Sequence, residues 1–421
     1  MNTGYSTLAE ALDPYAVSFD VLRQRNRPLL AVTDKLLGVV PNSHRYLAIW
    51  PTGFRTCNLL VPTFLNMPSL VLGAGEQKKL VGLVMYASSR AAQCAYCSAH
   101  SCSFALRRGA SEPAIAHALD SQSIDSGFGA RQRAALGVAD AVGRLPDSLT
   151  AAQRDEFLHR FSDSEVERLV LAIALMGFLN KFMDATGMPL EDAPLHEATR
   201  ILAPTGWNPG KHHSGSVESR PEGRSGRVGD SLRTKLGLVP LMPSLIAREL
   251  RWTAGVPSRW PEVGHYLKER SGLDLPVLSK LSSRRAVRAL AAVVRDNTDP
   301  AVTELGLPAK FLAGIVYANV AQHEQLLRAV DLLAGGAGVT SAQRSGALDG
   351  LDLAAVTALQ LAEAASHSPA QITPEIIDHA EQTLSPPAIV ELMVWISLLQ
   401  LLHRLHVFYS YPLTHADGVR R

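Results

Sequence analysis

Four cysteines in 421 residues are too few, and three of them sit too close together, for a secreted chain stapled by disulfides. Aromatic residues make up only 6% of the chain, while Ala and Leu are abundant. Small and straight-chain residues favour helices that approach one another closely. A net charge of +2 provides no basic field for nucleic acid or an anionic membrane. The longest apolar runs, Leu169–Asn180 and Leu392–Leu402, fall short of the ~20 residues that span a bilayer, so they predict buried helices. Residues 1–20 lack a basic run followed by an apolar one, and the expected location is a reducing cytoplasm. No Gly-rich loop follows a strand and opens a helix, so no organic cofactor is expected. Strand signals are scarce. Only Val32–Val40 and Leu59–Leu65 are apolar runs compatible with either state, and an all-α fold is expected.

What is present is a folded balance, 47% hydrophobic and 19% charged, in a chain too long for one ordinary core. Residues 204–230 are rich in Gly, Pro, Ser and charge without hydrophobic periodicity, and read as a linker between domains at 22–203 and 231–415. The two halves resemble each other. Lys35-Leu-Leu-Gly-Val-Val-Pro41 opens one and Lys235-Leu-Gly-Leu-Val-Pro240 the other. Phe161–Leu190 and Leu384–Leu413 align without a gap, placing Asn180 opposite His403 and Pro189 opposite Pro412. A period of roughly two hundred residues reads as a domain duplication and not a solenoid.

Helix signals are strong. Ser162 with Glu165, and Thr150 with Gln153, form capping boxes; Gly187 and Pro189 end the long apolar helix. Gln77–Ala91 and Cys94–Arg108 read as helices, with Gly109 as C-cap and Ser111 capping the next helix. The second of these carries Cys94-Ala-Tyr-Cys97-Ser-Ala-His100. Residues three apart share a helix face, so both thiols and the imidazole converge. A helix N-terminus favours a thiolate, and a second thiol can resolve an oxidised first one into a disulfide. Geometry favours Cys97 as attacking thiol, one turn from His100, with Cys94 resolving; the competing consideration is that Cys94 lies nearer the helix N-terminus. A zinc site would use the same three residues but lacks a fourth ligand, and Cys102 points to another face, so no metal is expected.

At these residues the chain resembles the alkyl hydroperoxidase D / carboxymuconolactone decarboxylase family, over about Gly75–Leu190. The elements of the resemblance are a helix ending in Ser89-Arg90, the cysteine motif through Ser101, Gly109, a Ser-initiated helix, and a final helix with Phe178-Leu-Asn180-Lys181. The segment from Gly206-Trp207 to His212 is similar to that of longer members. The resemblance implies helical bundles that commonly form homo-oligomers. It also implies a thiol-dependent peroxidase or disulfide oxidoreductase acting on a small hydroperoxide or related substrate, with electrons from an external dithiol reductant. Peroxidase members carry a Glu twelve positions before the first Cys; here that position is Gly82, and Glu76 is the nearest upstream carboxylate. They place His four after the second Cys; here that is Ser101, and His100 is three after. The proton relay is therefore incomplete on this reading. The alternatives are a non-redox decarboxylase or lyase with His100 as acid–base, and a non-catalytic scaffold.

The second half reads as a degenerate copy, with Tyr317 and Val320 where Cys94 and Cys97 stand and only His323 kept. Tyr96, Trp50 and Phe54 are candidates for an apolar substrate pocket. Asn180 should satisfy a backbone group, Lys181 and Asp184 should be solvated or paired, and Cys57 and Cys102 should be passive thiols.

Overall fold

The computed structural model describes residues 4–67, 75–120, 127–213 and 236–409, and among them every regular element is a helix. The two ambiguous apolar runs are both largely helical. Val32–Leu37 ends α2 (Phe19–Leu37), which stops at Gly38 in the left-handed region, φ 80°. Leu59–Phe64 ends α4 (Pro51–Phe64), after the short α1 (Leu8–Leu12) and α3 (Ser43–Leu47).

The first half is built around α5 (Gly75–Ala91). It packs on α6 (Ala95–Arg107), on α8 (Ala130–Gly143) and on α10 (Asp163–Thr186), with α7 (Glu112–His117), α9 (Ala151–Arg160) and α11 (Asp192–Leu202) around them. The predicted caps form. Ser162 and Glu165 close a capping box at the start of α10, and Gly187 ends it at φ 64°. Helix α10 is longer than the apolar run within it and is buried on nearly every side. A helix apolar all round must be covered all round, and here α5, α6 and a second long helix do so.

That second helix is α20 (Pro386–Tyr409). The second half begins with α12 (Met242–Trp252), α13 (Glu262–Ser271) and α14 (Arg284–Asn297). Helix α15 (Leu307–Val320) packs on α16 (Glu324–Gly336), on α18 (Leu353–Ser366) and on α20, with α17 (Ser341–Arg344) and α19 (Pro374–Thr383) alongside. Helices α10 and α20 pack on each other, as do α4 and α14. Both long helices meet the length and composition of a membrane span, yet 94% and 100% of their apolar windows are buried inside the protein.

Local details recur between the halves. Gln93 and Gln322 both take positive φ, 55° and 53°, just before α6 and α16. Gly109 and Gly338 follow the same helices at φ 90° and 85°. At α16 the structure corrects the sequence alignment. His323, not Tyr317, occupies the position of Cys94: it is the N-cap, and its Nδ1 accepts the Leu326 N–H at 3.1 Å. Tyr317 lies inside α15, and Leu326 stands where Cys97 does. The sequence pairing of Tyr317 with Cys94 misses that α15 continues unbroken to Val320.

The start of the segment read as a linker is folded. Residues 204–213 fold back on the first half, with Trp207 Nε1 donating to Ala95 O at 3.3 Å and Leu190 N donating to His212 O at 3.0 Å. Residues 214–230 lie outside the described residues.

Candidate active site

Chain reversal between α5 and α6 delivers the cysteines. Cys94 N–H donates to Ser89 O at 3.1 Å, Gln93 supplies the left-handed turn, and Cys94 becomes the N-cap of α6. Its Sγ accepts the Cys97 N–H at 3.3 Å, so the helix start aims a backbone donor at this sulfur. Both cysteines are buried, and none of the four cysteines is in a disulfide. Burial first, then the neighbouring Cys94 and Asp184, push the Cys97 thiol well up, while Arg404 acts in the opposite direction. Cys57 and Cys102 are raised to about 12, chiefly by burial.

His100 follows one turn after Cys97 on the same helix. Its Nε2 lies 2.6 Å from Glu191 Oε2. Glu191 is the N-cap of α11, and sequence reasoning misses it. Its other oxygen accepts from Tyr96 Oη at 2.9 Å and from the backbone N–H of Asn42. Burial alone would raise this carboxyl, but the charge and hydrogen bond of His100, with the Asn42 N–H, hold it below the usual range. An ionised Glu191 accepts from all three groups, so Nε2 of His100 is the donor in this contact and Nδ1 is the ring nitrogen that Glu191 does not engage.

The carboxylate beside His100 is thus Glu191, on a different element from Gly82. Gly82 itself sits at the crossing of α5 and α6: a Cβ there would lie 2.7 Å from Ala105 Cα. No larger residue fits without separating the helices. Glu76 is engaged with Lys79 at 2.7 Å, on the surface.

A cavity of about 290 Å³ opens beside these groups. Leu29, Leu36, Val61, Leu65, Leu179 and Leu245 supply much of its apolar wall. Cys97, His100, Tyr96, Ser43, His44 and Asn58 supply polar groups. The two similar openers of the halves meet here, Leu36 against Leu238. His44 is a second residue that sequence reasoning misses. It donates through Nε2 to Asn58 Oδ1 at 3.2 Å, while Asn58 Nδ2 donates to Phe54 O at 2.8 Å. Burial holds the His44 imidazole below its ordinary value, with Asn58 pulling the other way.

Of the expected pocket residues, Tyr96 lines the cavity and two do not. Trp50 is buried against the second half, its Nε1 donating to Val302 O at 3.0 Å, because an indole inside a protein needs an acceptor. Phe54 stands behind the wall with its ring edge-on to His44 at 5.8 Å. Asn180 donates to Ser88 O at 3.3 Å, as a buried amide should. Lys181 and Asp184 are buried as well as paired, Asp184 with Lys211 at 2.9 Å. His212 is buried beneath the site, with Nδ1 donating to Met188 O at 2.8 Å. Among the described residues no cluster of His, Cys, Asp and Glu has a metal-binding arrangement.

Residues 73–141 match the model of the carboxymuconolactone decarboxylase family. A comparison with functionally curated proteins finds no match. Among solved structures, the chain is similar to the debrominase Bmp8 in its apo form, at 24% identity over 44% of this chain and 96% of that one, with a TM-score of 0.39. It is likewise similar to a Bmp8 variant with a cysteine replaced by alanine, in complex with 2,3,4-tribromopyrrole, at 23% identity over 44% of this chain and 95% of that one, TM-score 0.39. The helix pair that carries Cys94, Cys97 and His100 lies within the segment that matches the carboxymuconolactone decarboxylase family model.

Proposed function

We propose that the chain is a thiol-dependent oxidoreductase of the alkyl hydroperoxidase D type, with Cys97 attacking, Cys94 resolving and the His100–Glu191 pair moving the proton. The observation that carries this reading is that Cys97 and His100 line one apolar cavity, with Glu191 2.6 Å from His100 and Cys94 Sγ 3.3 Å from the Cys97 nitrogen. His100 Nδ1 takes the Cys97 proton. The thiolate attacks the distal oxygen of a hydroperoxide, the O–O bond breaks, and the alkoxide leaves as the alcohol once it gains that proton. Cys94 then displaces water from the Cys97 sulfenic acid to form the disulfide. An external dithiol returns two electrons, in a reducing cytoplasm. Neither nucleic acid nor a membrane is a partner on this reading.

The second half, on this reading, is a copy that lost the thiols: the matching helix order, turns and caps support a duplication. It takes the place of the second subunit that a single-domain relative recruits. Homo-oligomers of the two-domain chain are the remaining partner class.

A second reading is favoured by His44. Two imidazoles on one apolar cavity, with a buried Cys97 thiol held protonated, suit acid–base chemistry of a decarboxylase or lyase. Titration of the reduced protein with hydrogen peroxide and an organic hydroperoxide separates the two. Fast, reversible formation of a Cys94–Cys97 disulfide, mapped by mass spectrometry, is expected. Thiols that stay reduced, together with a Cys97→Ser variant fully active on a carbonyl acid, would replace the redox reading with the second.

A further inference from the structure

The side chain of Arg404 belongs to α20 but ends inside the first half. It is 1% exposed. Its Nη1 donates to Ser88 Oγ at 2.7 Å and to Ile173 O at 2.9 Å, and its Nη2 to Gly143 O at 2.9 Å. All three acceptors are neutral. No carboxylate pairs with it among the described residues; the acidic groups that feel its charge are Tyr317, Cys97 and Cys94. Room for it is built into α10. A Cβ on Gly177 would stand 2.8 Å from Arg404 Cδ and 3.2 Å from its Nε. The anchor, Ser88, is also part of the turn that presents the dithiol: its carbonyl accepts the Ala92 N–H at 3.1 Å, and the next carbonyl, Ser89 O, holds Cys94 N–H.

A guanidinium keeps its charge when buried, and a buried cation without an anion is unfavourable. A fold tolerates one where an anion forms during use. We propose that Arg404 is the counter-charge of the Cys94–Cys97 dithiol, a positioning residue supplied by the second half that favours the thiolate during turnover. This rests on the thiol chemistry proposed above.

The other charges facing the dithiol do not substitute for it. Lys181 acts on Cys94, but its Nζ is committed to the second half, donating to Ser366 O at 2.9 Å, His367 O at 2.6 Å and Ser368 Oγ at 3.2 Å. Burial also brings that ammonium down to about 7, against the pull of Asp184. Asp184 opposes a thiolate on Cys97 and is drawn off by Lys211 and by Ala370 N–H at 2.6 Å. His403, buried beside Arg404, is held neutral by burial and by His323 and Arg404. The His100–Glu191 pair is neutral overall when His100 is charged. A half that lacks thiols thus completes the site of the half that has them.

The test is the pH profile of thiol alkylation and of thiolate absorbance in the reduced full-length chain. It uses wild type, Arg404→Gln, which removes the charge, and Arg404→Lys, which keeps it. Arg404→Gln is expected to raise the midpoint of the reactive thiol by about one pH unit or more, and so slow alkylation about tenfold at neutral pH; Arg404→Lys should restore most of the rate. A folded Arg404→Gln protein with the wild-type profile overturns the proposal, as does a loss of thermal stability in both variants with no change in midpoint. If Arg404→Gln does not fold, Ser88→Ala removes one anchor instead. A smaller rise in midpoint is then expected, and an unchanged one overturns the proposal. Where the midpoint lies above the accessible pH range, the alkylation rates at one pH read the same effect, and equal rates for wild type and Arg404→Gln overturn the proposal. If the midpoint follows Arg404 but peroxide never forms the disulfide, the counter-charge stands and the peroxidase reading falls.

Discussion

Glu191 Oε2 lies 2.6 Å from His100 Nε2, across 91 residues of sequence, and that contact fixes which nitrogen of the imidazole is free to act. Glu191→Gln keeps an oxygen for Tyr96 and Asn42 but loses the negative charge that stabilises the imidazolium. A positioned acid–base group contributes about 10²–10⁴ in rate. The variant is therefore expected to fold normally and to form the Cys94–Cys97 disulfide about a hundredfold more slowly with an organic hydroperoxide, roughly the lower end of that range. Stopped-flow oxidation of the reduced protein checks this, and a wild-type rate would remove Glu191 from the mechanism.

Gly82→Glu places a carboxylate twelve positions before Cys94, where the resemblance to the alkyl hydroperoxidase D family would put one. It is expected to harm the protein. The new Cβ would meet Ala105 Cα at 2.7 Å and Ala105 Cβ at 2.9 Å, and backbone cannot step aside as a side chain end can. Overpacking of this kind costs about 1–3 kcal/mol, and burial of a charge adds to it. Thermal denaturation should show a clear loss of stability with no gain in oxidation rate. A faster, equally stable variant would show that Glu191 does not already fill the role.

Local signals make the Cys94–Cys97–His100 face legible in the amino-acid sequence. Its geometry is set within two turns of one helix, and the capping and glycine signals that bound α6 and α10 act over three or four residues. Glu191 is not legible, because an acidic residue ahead of Asp192 and a helix is also what the helix dipole favours at any N-terminus. Its partner lies on an element with no sequence relation to it. His44 and Asn58 are hidden for the same reason. Trp50 misleads because apolar aromatics look alike in sequence whether they line a cavity or a domain contact. The gapless pairing of α10 with α20 does place Lys181 opposite Arg404, but nothing in that pairing shows that each reaches into the other half.

Acid should destabilise the protein well above the range where carboxylates titrate. His212 and His406 are both brought down to about 4, chiefly by burial; His323 and His403 are also lowered, His403 additionally by the charges of His323 and Arg404. Each is protonated more readily in the unfolded chain. Between an ordinary value of about 6.5 and a folded value of about 4, the unfolded state binds more protons. Stability is thus complete above that window and is lost as pH falls through it. Glu191, lowered in the folded state, extends the loss below the ordinary carboxylate range. At about 1.4 kcal/mol per pKa unit for each group, the loss from about pH 7 to about pH 4.5 should reach several kcal/mol. Urea denaturation across that range measures it, and a flat profile would mean that these imidazoles are charged in the folded protein.

Lys310 and Glu391 form a pair 2.8 Å apart that is buried on both sides, 1% and 0% exposed. The ammonium also donates to Asn297 O and lies 5.1 Å from the centre of the Trp50 ring and 5.5 Å from that of Trp395. Glu391 accepts from Thr303 Oγ1 at 2.7 Å, Glu304 N at 2.6 Å and Leu305 N at 2.9 Å. These bonds tie the loop that receives Trp50 from the first half to α20. Lys310→Met leaves a buried carboxylate without its counter-ion, a change that costs about 3–5 kcal/mol. Adding Glu391→Gln removes the stranded charge but keeps an oxygen for the backbone donors of the loop. The double variant should therefore be more stable than Lys310→Met alone, by roughly 1 kcal/mol or more. Denaturant midpoints for the three proteins decide it. A double variant no more stable than the single one would show that the loop contacts, and not the unpaired charge, carry the cost.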